Sequence, residues 1–153
     1  MTIKTKNLAL GGMIAALYAG VTVVLAPISY GPVQLRVVEA LTLLPFYIPE
    51  AVPGLFVGCL VANAFSPNGA LDIVIGSLAT LTAAYLSRHM PRLWLAALPP
   101  VLVNMAAIGT MLNLVAGLPL WITIFQVGAG QAAACALGIP LMKILEKHKL
   151  VKR

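Results

Sequence analysis

Charge is what this chain has least of. Only 9% of its 153 residues are Asp, Glu, Lys or Arg, four acids against ten bases. A soluble core of this size could not hide from water a chain that is 61% hydrophobic with a mean hydropathy of +0.99, which excludes an ordinary soluble domain. Cysteine is scarce too. Cys59 and Cys135 lie far apart in apolar runs, with no CxxC pattern and no nearby His, and read as two small buried residues. No Gly-rich loop ends in Gly-Lys-Ser/Thr, so no phosphate cradle for ATP is recognisable. His89 and His148 flank basic residues without an HExxH motif or a Cys/His cluster, and read as headgroup or orientation contacts rather than metal ligands. No nucleophile stands beside a local base, which argues against an enzyme.

What the chain does have is a series of apolar runs punctuated by Pro, Gly or charge. They predict an all-α integral membrane protein with spans near 7–26, 33–48, 51–66, 70–88, 94–115 and 120–142, six helices in one compact bundle covering 1–153 as a single domain. The first run follows a basic lead but is long enough to span, so it reads as an uncleaved helix and not a secretory signal. Pro45, Pro49 and Pro53 crowd the junction of the second and third spans. A continuous helix over 33–66 would reach roughly 50 Å, against a hydrocarbon core of ~30 Å, so two shorter helices fit better. The net charge of +6 does not suggest nucleic acid, because the basic residues sit at the two ends and in one loop. With six spans, Lys4, Lys6, Arg88, Arg92, Lys143, Lys147, Lys149, Lys152 and Arg153 share one side and Arg36 stands opposite. The basic side, with both termini, is then the cytoplasmic one, and the chain is a multi-pass protein of the cell membrane.

Small residues recur at four-residue spacing: Gly11, Ala15 and Ala19, with Gly12, Ala16 and Gly20 beside them; then Gly54, Gly58 and Ala62; then Gly130, Ala134 and Gly138. Such stripes let helix backbones approach closely, either within the chain or against another membrane subunit.

The polar residues collect at the outer ends of the spans: Gln34, Arg36 and Glu39, then Asn63, Asn68 and Asp72, then Asn113, Trp121 and Gln126. Ionisable groups at membrane depth are costly unless they pair or line a wet cavity, so an outward-opening pocket is expected. Arg36 and Glu39 stand three apart and share a helical face, where they either pair with each other or face a ligand. Asp72 either caps a helix through the macrodipole or joins them. Asn104 and Gln131, near mid-span, read as hydrogen-bonding glue between helices. Tyr30, Phe65, Trp121 and Phe125 either stack on a flat heterocycle or anchor at the interface. Glu39 and Asp72 against Arg36 leave a slight acidic excess, suited to a cationic ligand.

Residues 31 to 88 resemble the QueT family of queuosine-precursor substrate-binding (S) components of energy-coupling factor transporters. The resemblance is carried by Gln34-Leu35-Arg36-Val37-Val38-Glu39-Ala40-Leu41 with Leu44-Pro45, by Asn63-Ala64-Phe65-Ser66-Pro67, and by 69–76; residues 94 to 153 match in character more than in motif. It implies a subunit that captures 7-aminomethyl-7-deazaguanine, or a close relative, from outside and hands it to a transmembrane coupling subunit with two ATPase subunits. It also implies no cofactor of this chain's own, since ATP belongs to those partners. Glu39 would be the principal recognition acid and Asp72 the second, with Gln34, Asn63, Asn68 and Gln126 as amide partners. Arg36 would hold Glu39 ionised or contact the base carbonyl, and an aromatic such as Trp121 would cover the base. One of the first-helix stripes, Gly11/Ala15/Ala19 or Gly12/Ala16/Gly20, would dock the coupling subunit. The rival expectations are an S component for another vitamin or heterocycle, and a membrane assembly protein without a ligand.

Overall fold

The computed structural model describes residues 3–30 and 36–152. Helix α1 (Ile3–Val24) is followed by a single turn, α2 (Ala26–Ser29), and then by a 3₁₀ segment, Val37–Phe46. Next come α3 (Ala51–Asn63), a π-helical turn at Asp72–Gly76 that runs into α4 (Ser77–Arg88), a 3₁₀ turn at Leu95–Ala97, α5 (Leu98–Ala116) and α6 (Leu120–Lys147). A helical segment lies within each of the six expected runs. Three helices are long and apolar enough to cross a membrane, Lys4–Val24, Leu95–Ala116 and Leu120–Lys147. Val37–Phe46 and Ala51–Asn63 are apolar but short. At about 2.0 Å per residue for a 3₁₀ helix and 1.5 Å for an α-helix, each reaches roughly 20 Å.

Proline sets these lengths. Pro45 lies inside the 3₁₀ segment, and the chain turns through Tyr47–Glu50 before α3 begins at Ala51. Pro53 falls in the first turn of α3, where a missing N–H costs nothing. Helix α5 ends at Gly117, whose φ of 64° is the left-handed cap conformation and whose N–H bonds back to Asn113 at 3.0 Å; Pro119 then caps the start of α6.

The 3₁₀ segment is the centre of the molecule. Val38, Glu39, Ala40 and Thr42 through Phe46 are all buried, and the segment contacts α1, α3, α4 and α6. Around it the helices meet at glycines. A Cβ on Gly54 would come within 2.7 Å of the Gly11 carbonyl oxygen, and one on Gly58 within 2.8 Å of both the Ala15 carbonyl and the Tyr18 Cβ. On α6, a Cβ on Gly138 would lie 2.7 Å from the Ala40 carbonyl. In the Gly11/Ala15/Ala19 stripe, Ala15 is buried and the Gly11 and Ala15 carbonyls pack on the α3 glycines, while Gly11 and Ala19 stay partly exposed. Gly12, Ala16 and Gly20 face outward, with open space over both glycines.

The two ends of the bundle differ in character. At one end α1 begins beside α3, Tyr47 donates to the Glu146 carboxylate at 3.0 Å, and Arg88 and His89 border a surface hollow of about 410 Å³ with Phe46, Tyr47 and Pro49. Lys4, Lys6, Arg92, Lys143 and Lys147 belong to the helix ends gathered there. At the other end the Tyr30 hydroxyl donates to the Ala62 carbonyl at 2.5 Å, above the start of the 3₁₀ segment and the end of α3.

Gly58→Ala should push α1 off α3 and lower stability by about 1–3 kcal/mol. Gly12→Ala, on the open face, should change it by less than about 0.5 kcal/mol. Thermal unfolding of the two detergent-solubilised variants beside the parent checks both, and equal losses would place the α1–α3 contact elsewhere.

Candidate functional site

Four of the residues singled out from sequence come together in the interior. Arg36, Glu39, Asn63 and Asp72 are all buried, at 7%, 3%, 0% and 0% exposure, although they come from three separate elements. In a 3₁₀ helix, side chains three apart eclipse, so the tight winding puts Glu39 and Thr42 in one line, and Arg36 is the extended residue just before the helix begins. Thr42 ties that line down by donating to the Glu39 carbonyl at 2.6 Å.

The pair that Arg36 forms is not with Glu39. The ion pair of Arg36 is with Asp72, Nη2 to Oδ2 at 3.3 Å. Its guanidinium also lies over the Tyr30 ring, 5.4 Å from the centroid. Asp72 stands at the first residue of the π turn, accepts a hydrogen bond from the Ser66 hydroxyl, and receives Asn63 Nδ2 on its backbone carbonyl at 2.8 Å. The π turn requires Gly76 here, because a Cβ would sit 2.6 Å from Asn63 Nδ2 and 3.0 Å from Asp72 Oδ1. Single π turns of this kind frequently mark functional sites.

Glu39 looks the other way, toward residues that sequence reading did not join to it. The Tyr18 hydroxyl donates to its Oε1, and Gln131 Nε2 donates to its Oε2 at 3.3 Å. Gln131 in turn accepts Asn104 Nδ2 at 2.9 Å. Asn104 and Gln131 do bridge α5 and α6 as expected, and the bridge continues onto the acid. Together with Arg36, Glu39, Thr80, Ile108 and Val127 they line a cavity of about 20 Å³, room for roughly one water. Its walls are amides, charge, one hydroxyl and two aliphatic side chains.

Of the remaining sequence candidates, Trp121 and Gln126 lie apart from the cluster. Gln34 is outside the described residues. Asn68 is half-buried in the turn before the π segment, its N–H on Ser66 Oγ at 3.3 Å. Gln126 and Trp121 are exposed on α6, Trp121 at 71%. At 100° per residue Gln126 lies about 140° around the helix from Gln131, which turns it off the cavity. Phe65 and Phe125 also face outward, so among the described aromatics Tyr18 and Tyr30 are the ones that touch the cluster.

Several buried polar atoms have no partner among the described residues: Arg36 Nε, Asn63 Oδ1, Asn68 Nδ2, Asp72 Oδ1 and Ser77 Oγ. Unpaired polar atoms are expensive to bury, so their grouping around one ion pair marks a place suited to a polar guest. Chemically the arrangement can bind; among the described residues there is no cluster of three or more His, Cys, Asp or Glu that could hold a metal.

Arg36→Met should strand the Asp72 charge and cost about 3–5 kcal/mol of stability. Adding Asp72→Asn should return a substantial part of that loss. A double-mutant cycle by thermal unfolding measures it, and strictly additive effects would dismiss the ion pair.

The QueT transporter family model matches residues 8–147 of the chain. A curated relative, the queuosine precursor transporter QueT of Lactococcus lactis subsp. cremoris (strain MG1363), is 35% identical over 80 residues, which is 51% of this chain and 47% of the relative. The match thus spans about half of that protein's length. No solved structure matches the chain. With nearly the whole chain matched, and with apolar helices to seat it in a bilayer, this is a membrane protein that belongs to the QueT transporter family, a family of transporters and not of enzymes.

Proposed function

We propose that the chain is the membrane-embedded substrate-binding subunit of an energy-coupling factor importer, and that it takes up a queuosine precursor, 7-aminomethyl-7-deazaguanine, for ATP-driven import by partner subunits. The observation that carries this reading is the buried cluster of Arg36, Glu39 and Asp72. Two carboxylates against one guanidinium leave one negative charge without a buried counterpart in the cluster. A guanine-like base bearing a protonated aminomethyl group supplies that positive charge along with N–H donors for the carboxylates. Glu39 is the principal recognition acid in this reading and Asp72 the second, with Asn63 and Asn68 offering amide groups.

A cavity of about 20 Å³ is too small for such a base, so entry requires the cluster to open. The contacts that must yield suit that role. Arg36 to Asp72 and Gln131 to Glu39 are both 3.3 Å, at the long end of hydrogen-bond distances, and a ligand that offers shorter bonds can displace them.

Orientation follows from charge. The basic end of the bundle faces the cytoplasm, the cluster faces outside, and six spans in a single domain over 1–153 place both termini inside the cell membrane's cytoplasmic face. Helix α1 is suited to meet the transmembrane coupling subunit, since only 17% of its apolar window is buried, against 44% for the windows of α5 and α6. Gly12, with Gly11 and Ala15, lines a surface groove of about 610 Å³, and Ala16 and Gly20 line a second of about 430 Å³. The two ATPase subunits bind ATP in this scheme, and the chain itself carries no cofactor.

Calorimetric titration of the detergent-solubilised protein with 7-aminomethyl-7-deazaguanine should show saturable one-to-one binding, weakened more than about tenfold by Glu39→Gln. Folded parent protein that gives no heat and no competition would remove the ligand assignment; unchanged affinity in Glu39→Gln would move the site.

A further inference from the structure

We infer that Asn104 reads a hydrogen-bond donor on the ligand, and that Gln131 is the positioning residue that holds Asn104 in the orientation to do so. The argument runs outward from Glu39. An ionised carboxylate can only accept, so the Gln131 amide must turn its NH₂ group toward Glu39 Oε2, as it does at 3.3 Å. That choice leaves Gln131 Oε1 facing α5, where it accepts Asn104 Nδ2 at 2.9 Å. Reversing either amide would set oxygen against oxygen or NH₂ against NH₂. One of the two N–H groups of Asn104 is thus spent on Gln131, and its carbonyl oxygen Oδ1 is the one acceptor the amide has for the cavity.

Both amides are buried, each at 6% exposure, and the cavity they share is lined also by Ile108 and Val127, which offer no polar group, and by Thr80, whose hydroxyl donates to Cys59 Sγ at 3.2 Å. A ligand atom placed against Asn104 Oδ1 must therefore be a donor, because an acceptor or a carbon there would leave the buried carbonyl unpaired. The inference rests on the reading above, that a guanine-type base enters this cavity with its edge toward Glu39. Such a base has two adjacent donors, the ring N1–H and the 2-amino group. Glu39 has lone pairs left beyond those used by Tyr18 and Gln131 and can take one donor, and Asn104 takes the other. The same base without its 2-amino group would satisfy Glu39 and leave Asn104 unpaired.

The test is a ratio of affinities. The full-length detergent-solubilised protein is titrated with 7-aminomethyl-7-deazaguanine and with the same molecule lacking the 2-amino group. The parent should prefer the aminated base by about tenfold or more. Asn104→Ala should bring the two affinities to within about threefold, by weakening the aminated base alone. Gln131→Met should also reduce the preference, because it frees the Asn104 amide to turn. General damage to the fold weakens both ligands together and leaves the ratio unchanged, so an unchanged ratio in both variants overturns the inference. A parent that binds both bases equally well overturns it while leaving the ligand assignment standing. A folded parent that binds neither removes the ligand assignment and this inference with it.

Discussion

The constraint on which the rest depends is the burial of three charged side chains in a protein with very little charge to spare. Arg36, Glu39 and Asp72 are each less than 10% exposed. Stranding any one of them in an apolar interior would cost several kcal/mol, comparable with the whole stability of a small domain. The elements around them therefore serve as sources of partners. The π turn brings Asp72 to Arg36, the loop before it brings Ser66 to Asp72, α1 brings Tyr18 to Glu39, and α6 brings Gln131. The regular α-helix is abandoned at Val37–Phe46 and Asp72–Gly76, the two stretches that carry these charges.

Such a cluster needs close walls, and glycine provides them. Helices α1 and α3 meet with carbonyl oxygens where a methyl group would otherwise sit, at Gly54 and Gly58, and α6 meets the 3₁₀ segment in the same way at Gly138. The approach brings Tyr18 within reach of Glu39 from a helix that is otherwise largely exposed. Apolar surface contributes little to holding helices together when the surroundings are themselves apolar, so this close contact and the buried hydrogen bonds carry a larger share of the specificity than in a soluble bundle.

Much of this was legible in the sequence, for definite reasons. Helices were announced by apolar runs and their ends by proline and glycine, as at Gly117 and Pro119. Arg36, Glu39, Asn63 and Asp72 stood out because each is anomalous in an apolar run, and the fold brings them together. The pairing of Arg36 with Asp72 was not legible, since no local pattern links residues 36 apart. Nor was the role of Tyr18, whose hydroxyl finds its acceptor only through the α1–α3 contact. Asn104 and Gln131 could be paired with each other from their depth, but their extension to Glu39 depends on where the 3₁₀ segment passes. For Gln126 and Trp121 polarity and position along α6 suggested the site, while helical phase turned them away from it; the spacing from Gln131 held that information. The two stripes on α1 differ by one residue, about 100° of rotation, and their division between inside and outside became plain only once α3 was in place.

Tyr18 joins the periphery to the centre. Its helix has the smallest buried share of the three long ones, yet its hydroxyl ends on the buried Glu39 carboxylate. The glycine contacts leave α1 no slack against α3, so α1 cannot tilt or slide along α3 without drawing that hydroxyl away from Glu39. The outermost helix is thus a lever whose short arm rests on the carboxylate. A change in what Glu39 holds and a sideways load on the exposed face of α1 act on the same hydrogen bond, from opposite ends.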